Sequence, residues 1–129
     1  MTLRKDLDGL RLRMPGQDAV YVVDQGKKRG IPSAFTYEQL FRSWNNIHLD
    51  IDIEDIDTAP NLDMNSCLFK CFDDYAVFLL DNGKKRHIVS PAVMDRFEFD
   101  WKKVHIWNVS LKVLGIPDGP EICMTGRPD

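Results

Sequence analysis

The chain has 129 residues, of which 43% are hydrophobic and 29% are charged, and its formal net charge is −3. These values predict one soluble domain with a single core. The acidic balance argues against general nucleic-acid binding, which needs a basic surface, and no stretch approaches the roughly 18 apolar residues of a membrane span. Because the charged N-terminus lacks the pattern of a signal peptide, we expect a cytoplasmic protein, or a secreted or surface protein if a leader has been removed.

An internal duplication is the strongest signal in the chain. Residues 19–60 align without a gap with residues 76–117 at an offset of 57, and 12 of the 42 aligned positions are identical. The matched pairs include Trp44 with Trp101, His48 with His105, and Pro60 with Pro117. A fixed period indicates two copies of one supersecondary unit that must share a core.

We therefore predict a β-rich α+β fold with internal pseudo-twofold symmetry. It is a single domain made of two repeats, at about residues 9–62 and 66–122. The two ends, residues 1–8 and 123–129, are expected to be poorly ordered.

Each repeat opens with a short strand, at 10–13 and at 68–71, and continues into a β-hairpin. Asn82-Gly83 and Gln25-Gly26 suit a two-residue hairpin turn, and Asn82-Gly83 suits type I′, in which both residues need positive φ. The turns predict cross-strand pairs in both copies, among them these four: Asp24 with Lys27, Val22 with Arg29, Asp81 with Lys84, and Leu79 with Arg86.

A short helix is predicted after each hairpin, at 34–42 and at 91–97. Ser33 and Ser90 are suited to the N-cap, and Pro91 to the first helical position. A further extended segment is expected to begin near residues 47 and 104.

The repeats differ in this last segment. Residues 49–54 alternate apolar and acidic side chains, which predicts a strand with a carboxylate face. The second copy places Trp107, Val109 and Leu111 at the acidic positions. These three side chains are either core or a contact surface for a second copy of the protein or for a ligand.

No metal or cofactor site is predicted. The acidic run matches an EF-hand loop only in its first positions, because Asp55 stands where that loop needs glycine. The cysteines at 67 and 71 would lie about 13 Å apart in one strand, beyond disulfide reach. Together with the cysteine at 123 they lack zinc-site spacing, so we expect buried, reduced thiols.

A basic triplet follows each turn, and it supplies the candidate ligand-binding residues: Lys28, Arg29, Lys85, Arg86 and His87. Strand alternation places each arginine on a half-apolar face, where an unpaired charge is costly. Either the arginines bind carboxylates or backbone carbonyls that lock the unit, or their guanidinium groups hold a sugar or an anion.

The two recurring tryptophans, Trp44 and Trp101, have two readings as well. They are core anchors or platforms for sugar rings. No nucleophile elbow, phosphate loop or paired acid and base is present in the sequence, so we predict that the protein is not an enzyme.

The repeat resembles a known group of tandem repeats. Residues 20–32 and 77–88, with Trp44, Trp101 and the closing 116–119, are similar to repeats of about 50–57 residues in bacterial secreted and surface proteins. The resemblance implies binding of cell-wall or other glycans, the role usually assumed for this largely uncharacterised group. The hairpin is also faintly similar to a hemopexin-type propeller blade, and two blades would need oligomerisation to close a ring.

Sequence and resemblance together predict a non-catalytic, lectin-like module that recognises glycans or another polar ligand, as a homo-oligomer. The alternative is a structural or regulatory module that binds another protein.

Overall fold

The computed structural model describes residues 2–123, which form two α-helices and eight strands in two four-stranded mixed sheets. The strand orders are β3-β2-β1-β4 and β7-β6-β5-β8. In each sheet three antiparallel strands are followed by one short parallel edge strand. The predicted β-rich α+β fold of two repeats is confirmed.

The elements of the first repeat are β1 (Arg11–Arg13), β2 (Val20–Asp24), β3 (Lys27–Gly30), α1 (Ala34–Leu40) and β4 (His48–Leu49). Those of the second are β5 (Cys67–Cys71), β6 (Phe78–Asp81), β7 (Lys84–His87), α2 (Pro91–Phe97) and β8 (His105–Trp107). Short 3-10 helices span Lys5–Leu7, Ile53–Asp55, Trp101–Lys103 and Leu111–Val113.

Both hairpins have the predicted turn. Gln25 and Gly26 have φ values of 55° and 77°, and Asn82 and Gly83 have values of 52° and 80°. These signs are those of a type I′ turn, whose twist matches that of the flanking strands. The four predicted cross-strand pairs are all present.

Both helices begin at the predicted serine caps. Ser33 Oγ accepts a hydrogen bond from the Thr36 N–H, and Ser90 Oγ accepts one from the Val93 N–H. The first helix is shorter than predicted and ends at Leu40. The backbone is extended from Phe41 onward, and residues 40–42 pair with residues 98–100 of the second repeat.

The two repeats share one large core. Apolar faces of the first repeat, including Val22 and Leu40, pack in one cluster with Leu79, Met94 and Phe97 of the second. Smaller clusters lie on the outer face of each sheet, around Leu12 in the first and Phe69 in the second. Neither repeat buries its inner apolar face by itself, so each repeat needs the other to complete the core.

The alignment of the copies is not gapless to its end. The strand pairs Leu12–His48 and Phe69–His105 follow the offset of 57. Further along, the Lys28 N–H donates to Asp57 O, whereas the Lys85 N–H donates to Pro117 O, an offset of 60. The second copy therefore holds three extra residues after its edge strand, and the structural counterpart of Pro60 is Pro120 and not Pro117.

The prediction of a strand with an acidic face at residues 49–54 is wrong. β4 ends at Leu49, and the chain turns and enters a 3-10 helix. Ile51 is 75% exposed and Ile53 only 3%, although strict alternation would place them on one face. The Asp52 N–H donates to the carboxylate of Asp50, a local bond that favours a turn over a longer strand.

The N-terminal segment is ordered, contrary to prediction. The Thr2 N–H donates to Asp55 O, and the Arg4 N–H donates to Gly26 O. Arg96 of α2 donates from Nε to Asp8 O at 2.7 Å, which ties this segment to the second repeat. Of the predicted C-terminal tail, residues 124–129 lie outside the described residues.

Candidate functional site

A closed ring of four charged side chains joins the repeats at their pseudo-twofold axis. Arg29 Nη1 lies 2.6 Å from Asp81 Oδ2 and 3.2 Å from Asp24 Oδ2. Arg86 Nη1 lies 2.6 Å from Asp24 Oδ2 and 2.9 Å from Asp81 Oδ2. Each arginine thus contacts the carboxylate of its own hairpin and that of the other, and we call these four residues the quartet.

The hairpin register explains why the quartet forms. Asp24 ends β2 and Arg29 lies in β3 on the same face, so both side chains point toward the second repeat. The Nε groups of Arg29 and Arg86 donate to Pro60 O and Pro120 O, which fixes the orientation of each guanidinium.

The ionisation of the quartet follows from burial and pairing. Burial raises the pKa of Asp81, but the hydrogen bonds and charges of Arg29 and Arg86 lower it more, so it lies below its ordinary value. Burial likewise lowers the pKa of each arginine, and the carboxylates more than offset this. The pairing therefore favours the charged forms of Arg29, Asp81 and Arg86.

A cleft of about 470 Å³ opens above the quartet, between the tips of the two hairpins. The four quartet residues line it together with residues 25, 27, 59, 60, 82, 84 and 120. Lys27 and Lys84 are exposed, and within residues 2–123 neither ammonium has an ion-pair partner.

The five predicted ligand-binding residues do not form one site. Arg29 and Arg86 line the cleft, but Lys28 and Lys85 extend from the opposite face of their strands. Their Nζ atoms donate to Ile56 O at 2.6 Å and Ile116 O at 2.7 Å. These contacts hold the closing segments of the repeats against the hairpins. His87 lies elsewhere, with Nδ1 3.4 Å from a carboxylate oxygen of Glu121.

Each repeat carries a groove at the equivalent place. The first has a volume of about 370 Å³ and is lined by residues 18–20, 31–34, 37 and 44. The second has a volume of about 330 Å³ and is lined by residues 75–77, 87–91, 94 and 101. Every residue of the first groove has its counterpart 57 positions later in the second, which adds only His87. We call these groove 1 and groove 2.

A tryptophan forms one wall of each groove. Trp44 is 48% exposed and Trp101 is 47% exposed, so the reading of these residues as core anchors is wrong. Trp44 stacks on the buried Tyr37 with ring centroids 3.8 Å apart, and its Nε1 donates to Glu38. Such stacking fixes the plane of an indole while leaving part of it accessible.

The polar groups around the grooves differ. Groove 1 has Asp18 at its rim, whereas groove 2 has Tyr75, which is 96% exposed, and His87. Gly30 takes the place of His87 in the first repeat. The two grooves therefore share a tryptophan wall and differ in the polar groups at their rims.

The predicted protein-contact residues cover the outer cluster of the second sheet. Trp107 stacks on the buried Phe69 with ring centroids 3.9 Å apart, and Val109 and Leu111 pack beside them. All three are half-buried. Their role as a contact for another protein stays a prediction.

Sequence reasoning missed the buried Arg11. Its guanidinium donates to Glu98 of the second repeat at 2.7 Å, to the Tyr37 hydroxyl, and to the carbonyl oxygens of Ser43 and Asn45. The second copy has Leu68 at this position. A charged residue in one repeat where the other has an apolar residue was the sequence signal that could have identified Arg11. The contact is a further charged link between the repeats, beside the quartet and the pair Arg42–Asp95.

Three further observations concern metal ligands, membrane-spanning helices and cysteines. Within residues 2–123 no group of histidine, cysteine, aspartate and glutamate side chains is placed to hold a metal ion. The helices of that same range are too short or too polar to cross a membrane. Cys71 is buried as expected, whereas Cys67 is half-buried and Cys123 is exposed.

Comparison with protein-family models, with curated proteins and with solved structures finds no match to this chain. The resemblance to bacterial surface repeats therefore stays a prediction, and function has to be argued from the site.

Proposed function

We propose that the protein is a non-catalytic, lectin-like module that binds one glycan segment in each of its two grooves. The observation that carries this proposal is the pair of equivalent grooves, each with a half-exposed tryptophan wall. A duplicated unit in which a half-exposed tryptophan recurs at the same groove position supports one binding site per repeat.

The chemistry of the grooves suits a sugar. A sugar ring presents a patch of C–H groups that packs on an aromatic face, and its hydroxyl groups require hydrogen bonds at the rim of that contact. Asp18 in groove 1 and His87 in groove 2 are placed to provide them. Both are exposed or half-exposed, so a ligand reaches them without a change in the fold.

Two sites on one chain make weak single-site affinity sufficient. When a glycan carries repeated epitopes, binding at one groove raises the effective concentration of the next epitope at the other. Such avidity requires that both grooves be intact, and this requirement can be tested.

The test is a glycan array followed by titration of the best ligand into Trp44→Ala, Trp101→Ala and the double variant. Each single variant should lose one site, and the double variant should lose binding altogether. Phe35→Ala is the matched control, because Phe35 is 63% exposed but lines neither groove. Absence of any glycan ligand, or full binding by the double variant, would refute the proposal.

A second candidate function is contact with a protein partner, most simply a second copy of the chain. Ile106, which precedes Trp107 in β8, is 68% exposed, and Val113 of the following 3-10 helix is 72% exposed. Exposed apolar side chains of this kind favour a contact surface when they lie together. Light scattering tests it. A homo-oligomer whose mass falls to that of one chain in Trp107→Asp would support this function, and a single-chain mass in the wild type would exclude self-association.

A further inference from the structure

We propose that the cleft above the quartet is an anion site for a small ligand with two oxyanion groups, of which pyrophosphate is the simplest example. This site is separate from the glycan grooves and does not depend on them. Lys27 and Lys84 would bind the two ends of the ligand, one from each repeat.

The charge of the cleft favours an anion. Its lining holds four cations (Arg29, Arg86, Lys27 and Lys84) and two carboxylates (Asp24 and Asp81), a formal excess of two positive charges. The whole chain, by contrast, has a formal charge of −3. The carboxylates are already engaged by the guanidinium groups, which leaves the lysine ammoniums as the charges facing solvent.

The lysines face the cleft because of the strand register. Lys27 lies two residues from Arg29 in β3, and Lys84 lies two residues from Arg86 in β7, so each shares a strand face with its arginine. Both are exposed. An ammonium of this kind is a compact charge suited to phosphate oxygens.

The floor of the cleft is held by hydrogen bonds and still has donors to spare. A guanidinium carries five N–H donors. Within residues 2–123, Arg29 donates four hydrogen bonds and Arg86 also donates four. One N–H on the Nη2 atom of each guanidinium therefore remains for a ligand. The side-chain amides of Gln25 and Asn82 add further donors at the rim.

The pseudo-twofold arrangement selects a ligand with two charged ends. Equivalent donors from both repeats line one cleft, so a ligand with one oxyanion group satisfies half of them at a time. Pyrophosphate offers one phosphate group to each half. The cleft volume lies within the range of small-molecule sites.

The experiment is isothermal titration of pyrophosphate, and separately of inorganic phosphate, into the full chain at matched ionic strength. We expect pyrophosphate to bind at least about 10-fold more tightly than phosphate, because only pyrophosphate has two phosphate groups to divide between the two lysines. Lys27→Ala/Lys84→Ala should weaken pyrophosphate binding by about 10-fold or more, since it removes both solvent-facing charges.

The matched control is Lys102→Ala/Lys112→Ala. It removes the same charge from two exposed lysines outside the cleft, and it should leave affinity within about 2-fold of the wild type. Circular dichroism verifies that both variants are folded. The proposal is overturned if the wild type does not bind pyrophosphate, if phosphate binds equally well, or if the control variant loses as much affinity as the cleft variant. If the wild type binds a glycan, the cleft variant should bind it with unchanged affinity, because the cleft and the grooves have no lining residue in common.

Discussion

Substitution of Asp81 by asparagine tests the quartet as the link between the repeats. The Asp81 carboxylate accepts hydrogen bonds of 2.6 and 2.8 Å from Arg29 and of 2.9 Å from Arg86, and its side chain is 5% exposed. Asparagine keeps the volume, removes the charge and turns an N–H group toward the guanidinium donors. Removal of one partner from a buried ion pair costs about 3–5 kcal/mol. Because Asp24 still compensates part of the charge, we expect about 3 kcal/mol.

Urea unfolding measures this cost. An m-value of about 2 kcal/mol/M converts it into a fall of about 1.5 M in the unfolding midpoint. Asp118→Asn is the matched control, because Asp118 lies 2.7 Å from Lys85 but is 79% exposed, and exposed pairs contribute at most about 1 kcal/mol. If Asp81→Asn were no more destabilising than Asp118→Asn, the quartet would not hold the repeats together.

Three further outcomes are expected. The pKa of Asp81 is lower in the folded protein than its ordinary value of 3.8, so the charged carboxylate stabilises the fold fully above pH 3.8, and this contribution is lost as the pH falls through the folded-state pKa. Acid should therefore lower the urea midpoint of the wild type more than that of Asp81→Asn. Equal shifts in the two proteins would contradict this reasoning. Gln25→Asn should stabilise the first hairpin by about 0.5 kcal/mol, because asparagine tolerates the positive φ of that turn better, and a lower thermal midpoint would count against it. Gly9→Ala should destabilise by more than about 1 kcal/mol in the same urea assay, since φ is +88° and a Cβ would lie 2.7 Å from Arg96 Cγ; an unchanged midpoint would show that the N-terminal segment does not pack as described.

The local structure was predictable because its signals are local. The Asn82-Gly83 turn fixes its own register, and Ser33 and Ser90 fix the helix starts through bonds within one turn of helix. The shared core followed from the repeat itself. Sequence reasoning also offered carboxylate pairing as one reading of Arg29 and Arg86, and the structure identifies each partner.

What sequence could not provide depends on contacts between repeats. The pairing of Arg29 with Asp81, 52 residues away, is set by how the two sheets pack and not by any spacing in the chain. The exposure of Trp44 and Trp101 is likewise not set by any spacing in the chain, because it depends on which side chains cover each indole ring in the folded protein. The three-residue insertion was hidden because Pro117 happens to fall where the gapless alignment expects a proline.

The glycan proposal is tested most directly by NMR, because the chain has three tryptophans and each has a different position. Trp44 and Trp101 form the groove walls, and Trp107 stacks on Phe69 outside both grooves. Titration of a glycan ligand should shift the indole N–H signals of Trp44 and Trp101 and leave that of Trp107 in place. Unchanged signals from Trp44 and Trp101 at saturation with ligand would show that the grooves are not where the glycan binds.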